Sequence, residues 1–268
     1  MNRRRIGIVG GTGWIGRAMA RAIVDCGLID AESVTLSSRT DPGPGDGLAS
    51  MRWTRNNQEL VEASDVVIIA VRPEQFRGVS IFVSGKLVIS VMAGISAATI
   101  SRRTGCDAIV RGMPNAAVSI VRSYTPWFAT TAVTDSDKGF VTELFEAMGS
   151  ADQVPHEADL DYFVGLTGAG PAFPALLAKA MIDHAVSKGF EPALARRAVQ
   201  GVVVGASQLL AADQNEATTL VDTFLDYRGT TAAALETMVN LGFVEAVHAG
   251  LRAAEAKAVE IAAAGDQV

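Results

Sequence analysis

The run Gly7 to Ala20, GIVGGTGWIGRAMA, holds the residues with the most legible chemical use. Gly11, Gly13 and Gly16 fit a G-x-G-x-x-G spacing, with Ile6, Ile8 and Val9 before it and Ile15, Met19 and Ile23 on one helical face after it. Glycines at these positions let the backbone turn sharply and lie against a pyrophosphate, with the unpaired N–H groups of a helix N-terminus facing the negative charge. The chemistry implied is dinucleotide binding; a ligand-free glycine turn between strand and helix is the alternative. The next strand bears on which dinucleotide. It ends Leu36-Ser37-Ser38-Arg39-Thr40, where an NAD-specific fold would place an acidic residue for the ribose 2′-hydroxyl. Two hydroxyls and a guanidinium fork suit a 2′-phosphate, so NADPH is expected. Asp41 keeps NADH possible, since a loop curling back would bring its carboxylate to the ribose.

Proton-transfer groups are the next requirement, and the obvious ones are missing. Gly10, Gly13 and Gly16 also satisfy the GxxGxxG of short-chain dehydrogenases, which need Tyr-x-x-x-Lys. Here Tyr124, Tyr162 and Tyr227 are followed four residues on by Phe128, Leu166 and Thr231. Gly165, Gly168 and Gly170 reproduce the glycines that precede the lysine of β-hydroxyacid dehydrogenases, but Pro174 stands in the lysine's place. The three histidines, His156, His184 and His248, are scattered and read as surface or packing residues.

The elements that must position these residues fall into two halves. Segments at Ser33 to Leu36, Met51 to Trp53, Asp65 to Val71, Lys86 to Val91, Asp107 to Val110 and Tyr124 to Ala129 are strand-like. They are separated by connections of helical length, the rhythm of a Rossmann-type doubly wound parallel sheet. Asp41 to Gly47, DPGPGDG, reads instead as a loop over the adenosine end of the cleft. Asp135 to Met148 reads as a helix and Gln153 to Glu157 as a link, giving an α/β domain over 1–155 and an all-α domain over 156–268. In the second, helices are expected at Ala172 to Lys188, Pro192 to Ala212, Glu216 to Phe224, Thr230 to Asn240 and Phe243 to Ala263. The second of these is apolar on nearly all sides, and Gly201 and Gly205 would let another helix approach closely. Self-association follows, as a homodimer through the C-terminal helices or a larger homo-oligomer. Val244, Val247, Leu251, Ala254, Ala258 and Ile261 form a packing stripe on the last helix.

Composition excludes several classes. The 268 residues are 49% hydrophobic with a net charge of −6, enough apolar content for a core and no basic footprint for nucleic acid. The Arg3 to Arg5 patch reads as a solvated strand entry. Cys26 and Cys106 lack any metal or disulfide spacing and read as buried thiols in a reducing, cytoplasmic compartment. No leader is read, and Ala198 to Leu210 is too short and too polar to span a bilayer.

Further segments bring a resemblance into view: Asn57 ahead of Ser64-Asp65, Ala70-Val71-Arg72-Pro73, Ala93-Gly94-Ile95, Met113-Pro114-Asn115, Thr167 to Phe173 (TGAGPAF), Gly229-Thr230-Thr231 and Gly242-Phe243. In order and spacing, with the glycine loop, the chain resembles the Δ1-pyrroline-5-carboxylate reductases, NAD(P)H enzymes that reduce a cyclic imine to proline. The resemblance implies that Gly11, Thr12, Gly13, Trp14 and Ile15 line the phosphates and Ser38 and Arg39 the adenosine ribose. It assigns Asn57, Ala70, Val71, Arg72 and Pro73 to the middle of the cofactor, and Ala93 and Gly94 to the nicotinamide end. Thr231 would hydrogen-bond the imine nitrogen, with Arg228, Gly229, Thr230 and Asn115 on the substrate side. For Thr230 a plain helix N-cap is an equal alternative. A cyclic imine is basic enough to be met protonated, so a missing acid–base dyad is no obstacle.

The chain departs from the family's pattern where substrate should sit. Where relatives generally carry Ser-Pro-Gly-Gly-Thr-Thr, it has Asp226-Tyr227-Arg228-Gly229-Thr230-Thr231. Asp226 would repel a carboxylate, whereas Arg228 would either bind one or pair with Asp226. Ala169 replaces a customary serine and Arg72 a customary lysine, and the glycine loop is one residue longer. Reduction of 1-pyrroline-5-carboxylate in proline biosynthesis is the expectation. The alternatives are another cyclic imino acid, a non-enzymic NADP(H)-binding regulatory protein, and a deazaflavin-linked reductase suggested by GGTG-x-x-G.

Overall fold

The computed structural model describes residues 4–39, 48–212 and 217–265. The expected loop Asp41 to Gly47, with the Asp41 alternative for the ribose, lies outside them, as do Arg3 and Glu216. The chain divides into two compact units, Met1–Ala169 with Ala253–Val268, and Gly170–Arg252. The expected domain boundary at 155/156 falls within the first unit, just after its last strand.

The first unit is a Rossmann-type α/β fold. Strands β1 (Ile6–Val9), β2 (Val34–Ser37), β3 (Arg52–Thr54), β4 (Val66–Ile69), β5 (Leu87–Ser90), β6 (Ile109–Gly112), β7 (Ser123–Ala129) and β8 (Gly149–Gln153) form one sheet in the order β3-β2-β1-β4-β5-β6-β7-β8. Helices α1 (Trp14–Asp25), α2 (Asn57–Glu62), α3 (Pro73–Phe76), α4 (Ala97–Thr104) and α5 (Asp135–Glu146) connect them. Strand alternation sends Ile6, Ile8, Val66, Ile68 and Ile89 to one face, against Met19 and Ile23 of α1 and Leu144 and Phe145 of α5. Val67, Ile69 and Val88 face the other way, onto Leu60, Val61, Phe76 and Ile100. Both faces are covered, which is why the strands read as unbroken apolar runs.

The sheet is not wholly parallel: β7 runs antiparallel to β6. The connection 113–122 holds a 3-10 turn, Ala116–Ile120, and is too short for the crossover a parallel neighbour needs. α5 then supplies a crossover, and β8 is parallel to β7. β8, GSADQ, has no apolar alternation because it is a half-exposed edge strand.

The N-terminal arginines are anchored as a strand entry. Arg4 pairs with Asp137 at 2.6 Å and lies over the Phe140 ring, and Arg5 pairs with Asp65 at 2.7 Å. The histidines are exposed, as expected. Of the cysteines only Cys106 is buried; Cys26 is exposed, because it ends α1 at the surface instead of facing the sheet.

Helix α6 (Asp159–Phe163) and a π-type turn (Val164–Gly168) complete the run to the second unit. That unit holds α7 (Ala172–Ser187), α8 (Pro192–Ala212), α9 (Ala217–Asp226), α10 (Thr230–Asn240) and the first part of α11 (Phe243–Gly265). α8 starts with Pro192 at its first position, and the Glu191 carboxylate accepts from the N–H groups of Ala193 and Leu194 at 2.8 and 3.0 Å. No atom lies within 4 Å of a Cβ placed at Gly201 or Gly205, so the close approach they allow is not made by the described residues of this chain. The α11 stripe is covered from Leu251 onward, whereas Val244 and Val247 are exposed. Among the described residues no helix is long and apolar enough to cross a membrane.

Candidate functional site

The strand order reverses at β1, whose neighbours are β2 on one side and β4 on the other, and a cleft of about 660 Å³ opens at the carboxyl ends of these strands. Open α/β sheets bind ligands at this switch point. The glycine turn forms its floor, with each glycine fixed by a separate constraint. Gly10 sits at φ +91°, and a Cβ there would lie 2.9 Å from the Ala70 carbonyl oxygen. A Cβ on Gly11 would meet Leu36 Cβ at 2.7 Å, and one on Gly16 would meet the Gly10 carbonyl oxygen at 2.6 Å. The extra residue of the loop is thereby placed: Gly10 makes the left-handed turn, Gly11 backs onto β2, Gly13 precedes α1 as its N-cap, and Gly16 seats α1 on the turn. The N-terminus of α1 carries no side-chain cap, leaving its amide groups for a ligand.

Side chains from the neighbouring strands surround this floor. Thr12 and Ser38 join their hydroxyls at 3.0 Å, tying the turn to the end of β2. The Ser37 hydroxyl donates to Asn57 Oδ1 at 2.6 Å, so β2 also positions Asn57 at the start of α2. Arg39 is exposed on the cleft wall. On the opposite side come Ala70, Val71 and Arg72, where Pro73 opens α3 and the Gln75 side chain accepts from the Arg72 N–H at 3.3 Å. Arg55 and Gln75 also line the cleft and were not singled out from sequence. The signal for Arg55 was its place two residues past the expected third strand, Met51 to Trp53. Among the described lining residues there are three arginines and no carboxylate, a charge suited to a polyanion.

Other expected residues lie elsewhere. Trp14 is 61% exposed and lines a neighbouring recess of about 300 Å³ with Arg17, Arg21 and Val118. Ile15 packs against the core beneath the sheet. Ala93 and Gly94 follow β5; Gly94, at φ +69°, lies under α11, where a Cβ would meet Ile261 Cγ2 at 2.5 Å. Asn115 is buried and engaged at both ends of its amide. Its Oδ1 accepts from the Ala117 N–H at 2.9 Å, and its Nδ2 donates to the Thr167 carbonyl at 3.0 Å. Nearby, the buried Arg111 guanidinium pairs with Glu157 at 2.7 Å, and burial pushes the Asp161 carboxyl above the usual range.

The loop expected to take substrate belongs to the second unit. Gly229 is the N-cap of α10, without a side-chain cap, and Thr230 and Thr231 are exposed in its first turn. Arg228 has φ +48°, a left-handed conformation that favours glycine. Among the described residues there is no group of His, Cys, Asp or Glu able to hold a metal.

Comparison with known proteins adds identity to this geometry. Residues 157–261 match the family described as pyrroline-5-carboxylate reductase dimerisation, and residues 5–94 match NADP oxidoreductase coenzyme F420-dependent. The chain is 30% identical over 250 residues to the pyrroline-5-carboxylate reductase of Thermus thermophilus, covering 90% of this chain and 94% of the relative. It is 29% identical over 270 residues to that of Vibrio alginolyticus, covering 97% and 98%. The Plasmodium falciparum pyrroline carboxylate reductase, solved with NADP bound, has the same fold with a TM-score of 0.85 at 22% identity, covering 98% of this chain and 99% of that one.

Proposed function

The chain belongs to the pyrroline-5-carboxylate reductase family, and from that premise we propose that it reduces the C=N bond of 1-pyrroline-5-carboxylate to give L-proline, with NADPH as cofactor. The observation that carries this reading is the glycine-floored, arginine-lined cleft at the switch point, in a chain whose relatives match it end to end. The cleft fits a dinucleotide: side chains are excluded from its floor by close contacts with the backbone and with Leu36, and the α1 amides face the space where a pyrophosphate would lie. When bound, NADPH supplies a hydride to the imine carbon.

The protein's own contribution is binding and orientation. Gly11, Thr12 and Gly13 hold phosphate, Ser38 and Arg39 the adenosine ribose, Asn57 and Ala70 to Pro73 the middle of the cofactor, and Ala93 with Gly94 its nicotinamide end. The first turn of α10 presents its unpaired amides and Thr231 to the substrate, the amides taking the carboxylate and the threonine hydroxyl the ring nitrogen. Arg228 adds a guanidinium for the same carboxylate. Thr230 borders that site. We read the 157–261 segment as the part through which two copies associate, by the apolar faces of α7 to α11, and cytoplasm as the location.

A second reading, a different cyclic imino acid, draws on Asp226-Tyr227-Arg228, where an arginine holds a conformation costing about 1 kcal/mol that glycine would avoid. The deazaflavin reading draws on the match over residues 5–94 alone, the generic dinucleotide half. NADPH oxidation with 1-pyrroline-5-carboxylate and with five- and six-membered cyclic imines tests the imine readings, and a deazaflavin spectral titration showing no binding would remove the deazaflavin one. Turnover is expected with the five-membered imino acid. NADPH binding with no imine-dependent oxidation overturns the enzyme reading, and activity confined to six-membered rings overturns the proline assignment.

A further inference from the structure

We propose that Arg55 is a specificity-determining residue for the cofactor: with Arg39 it forms a two-guanidinium clamp on the 2′-phosphate of the adenosine ribose, making the cleft select NADPH over NADH. The inference rests on the dinucleotide reading of the cleft. Its basis is strand register. Ser37 of β2 pairs with Thr54 of β3, and the Ser38 N–H donates to the Thr54 carbonyl at 3.3 Å. The chains therefore leave the sheet side by side at a strand spacing of about 5 Å, with Ser38 opposite Arg55 and Arg39 the next residue along. Both arginines line the cleft, next to the Thr12–Ser38 hydroxyl pair that marks its adenosine end.

Arg72 has a different job. In the order β3-β2-β1-β4 it follows β4, three strands from Arg55, or roughly 14 Å at strand spacing. With the glycine turn between them, Arg72 sits on the far side of the pyrophosphate and Arg55 on the ribose side. NADPH differs from NADH only by a phosphate of nearly two negative charges, and two guanidiniums match it in charge and in bidentate geometry. Arg55 already has a partner within the chain. Five N–H donors allow a guanidinium to keep such a partner and take an anion as well.

The test is equilibrium binding of NADPH and NADH, with adenosine 2′,5′-bisphosphate and 5′-AMP as minimal probes. It uses the full-length wild type, Arg55→Ala, Arg39→Ala and the double variant, with thermal melts as a fold check. Arg55→Ala should weaken NADPH and the bisphosphate roughly tenfold or more while leaving NADH and AMP within about twofold. The two substitutions should be non-additive, as for groups sharing one phosphate. Equal losses for NADPH and NADH, or none for either, would overturn the clamp. Imine turnover is not read, so failure of the reductase assignment registers only in the turnover assay. Wild type binding neither dinucleotide would overturn both.

Discussion

Gly10 combines two constraints that a pair of alanine variants separates. Gly10→Ala meets both a left-handed φ and the Ala70 carbonyl at 2.9 Å, whereas Gly27→Ala meets only the φ of +76° with nothing within 4 Å. Gly27→Ala should cost about 1 kcal/mol and spare NADPH binding. Gly10→Ala should cost more, about 2–3 kcal/mol, and weaken binding, because the turn must shift. Equal melting temperatures for the two variants would show that the carbonyl contact is unimportant. Carboxylates give a second residue-scale prediction, with opposite signs at two sites. Burial raises the Asp161 carboxyl, Glu157 and Glu255 raise it further, and Arg111 opposes them. As pH rises through the ordinary carboxylate value the unfolded chain ionises first, so above it Asp161 costs stability. Asp161→Asn should therefore stabilise the protein at pH 7 and make no difference below about pH 3.5. Asp65 is the reverse case: its hydrogen bonds and ion pair with Arg5 hold it at about 2. Its contribution is present above the unfolded value and is lost as pH falls toward 2, a loss that Asp65→Asn should abolish in acid melts.

Asn115 works at the scale of elements, since one side chain starts the 3-10 turn after β6 and holds the carbonyl of Thr167 in the π-type turn. Asn115→Ala removes a cap and leaves a carbonyl unpaired, and should cost about 1–3 kcal/mol. Asn115→Asp keeps the acceptor for Ala117 but sets a buried carboxylate oxygen against the Thr167 carbonyl, so at pH 7 it should cost more than the lost contact alone. If Asn115 also borders substrate, KM for the imino acid will rise in Asn115→Asp beyond what its melting temperature explains. Legibility in the sequence followed the same scale. Runs of β-branched and aromatic residues revealed β1 to β7, and Pro192, Gly189 and Gly242 marked the helices of the second unit to within a few residues, because these signals are local. β8 escaped because an edge strand of Gly, Ser, Ala, Asp and Gln buries little. Lateral pairing was equally invisible: Arg39 and Ser38 were legible as strand-end residues, but Arg55 became their neighbour only when Ser37 was seen opposite Thr54. The loop glycines, ambiguous as a pattern, were sorted by what a Cβ would strike.

For the whole molecule, the decisive quantity is the apolar surface that the second unit leaves uncovered. Among its described residues only Ala195, Val199 and Ala232 are buried, while Leu241 is 83% exposed, Leu176 69% and Val202 55%. Covering a valine or leucine contributes about 1.5–3 kcal/mol. Half a dozen such residues on each copy, scaled by the part of each still exposed, give a gain of the same order as an association cost of about 4–15 kcal/mol. Small residues at Gly201 and Gly205, with open space above them, leave α8 free to meet another helix closely. The proposed homodimer should therefore be obligate for the second unit, so that its melting temperature rises with protein concentration. Val202→Glu, placing a charge between the two glycines, should shift the mass in solution to the monomer and lower the helical signal. NADPH binding should survive, since the cleft is built within the first unit. A wild-type monomer at micromolar concentration, melting cooperatively and independently of concentration, would mean that the exposed faces of α7 to α11 are covered by something other than a second copy.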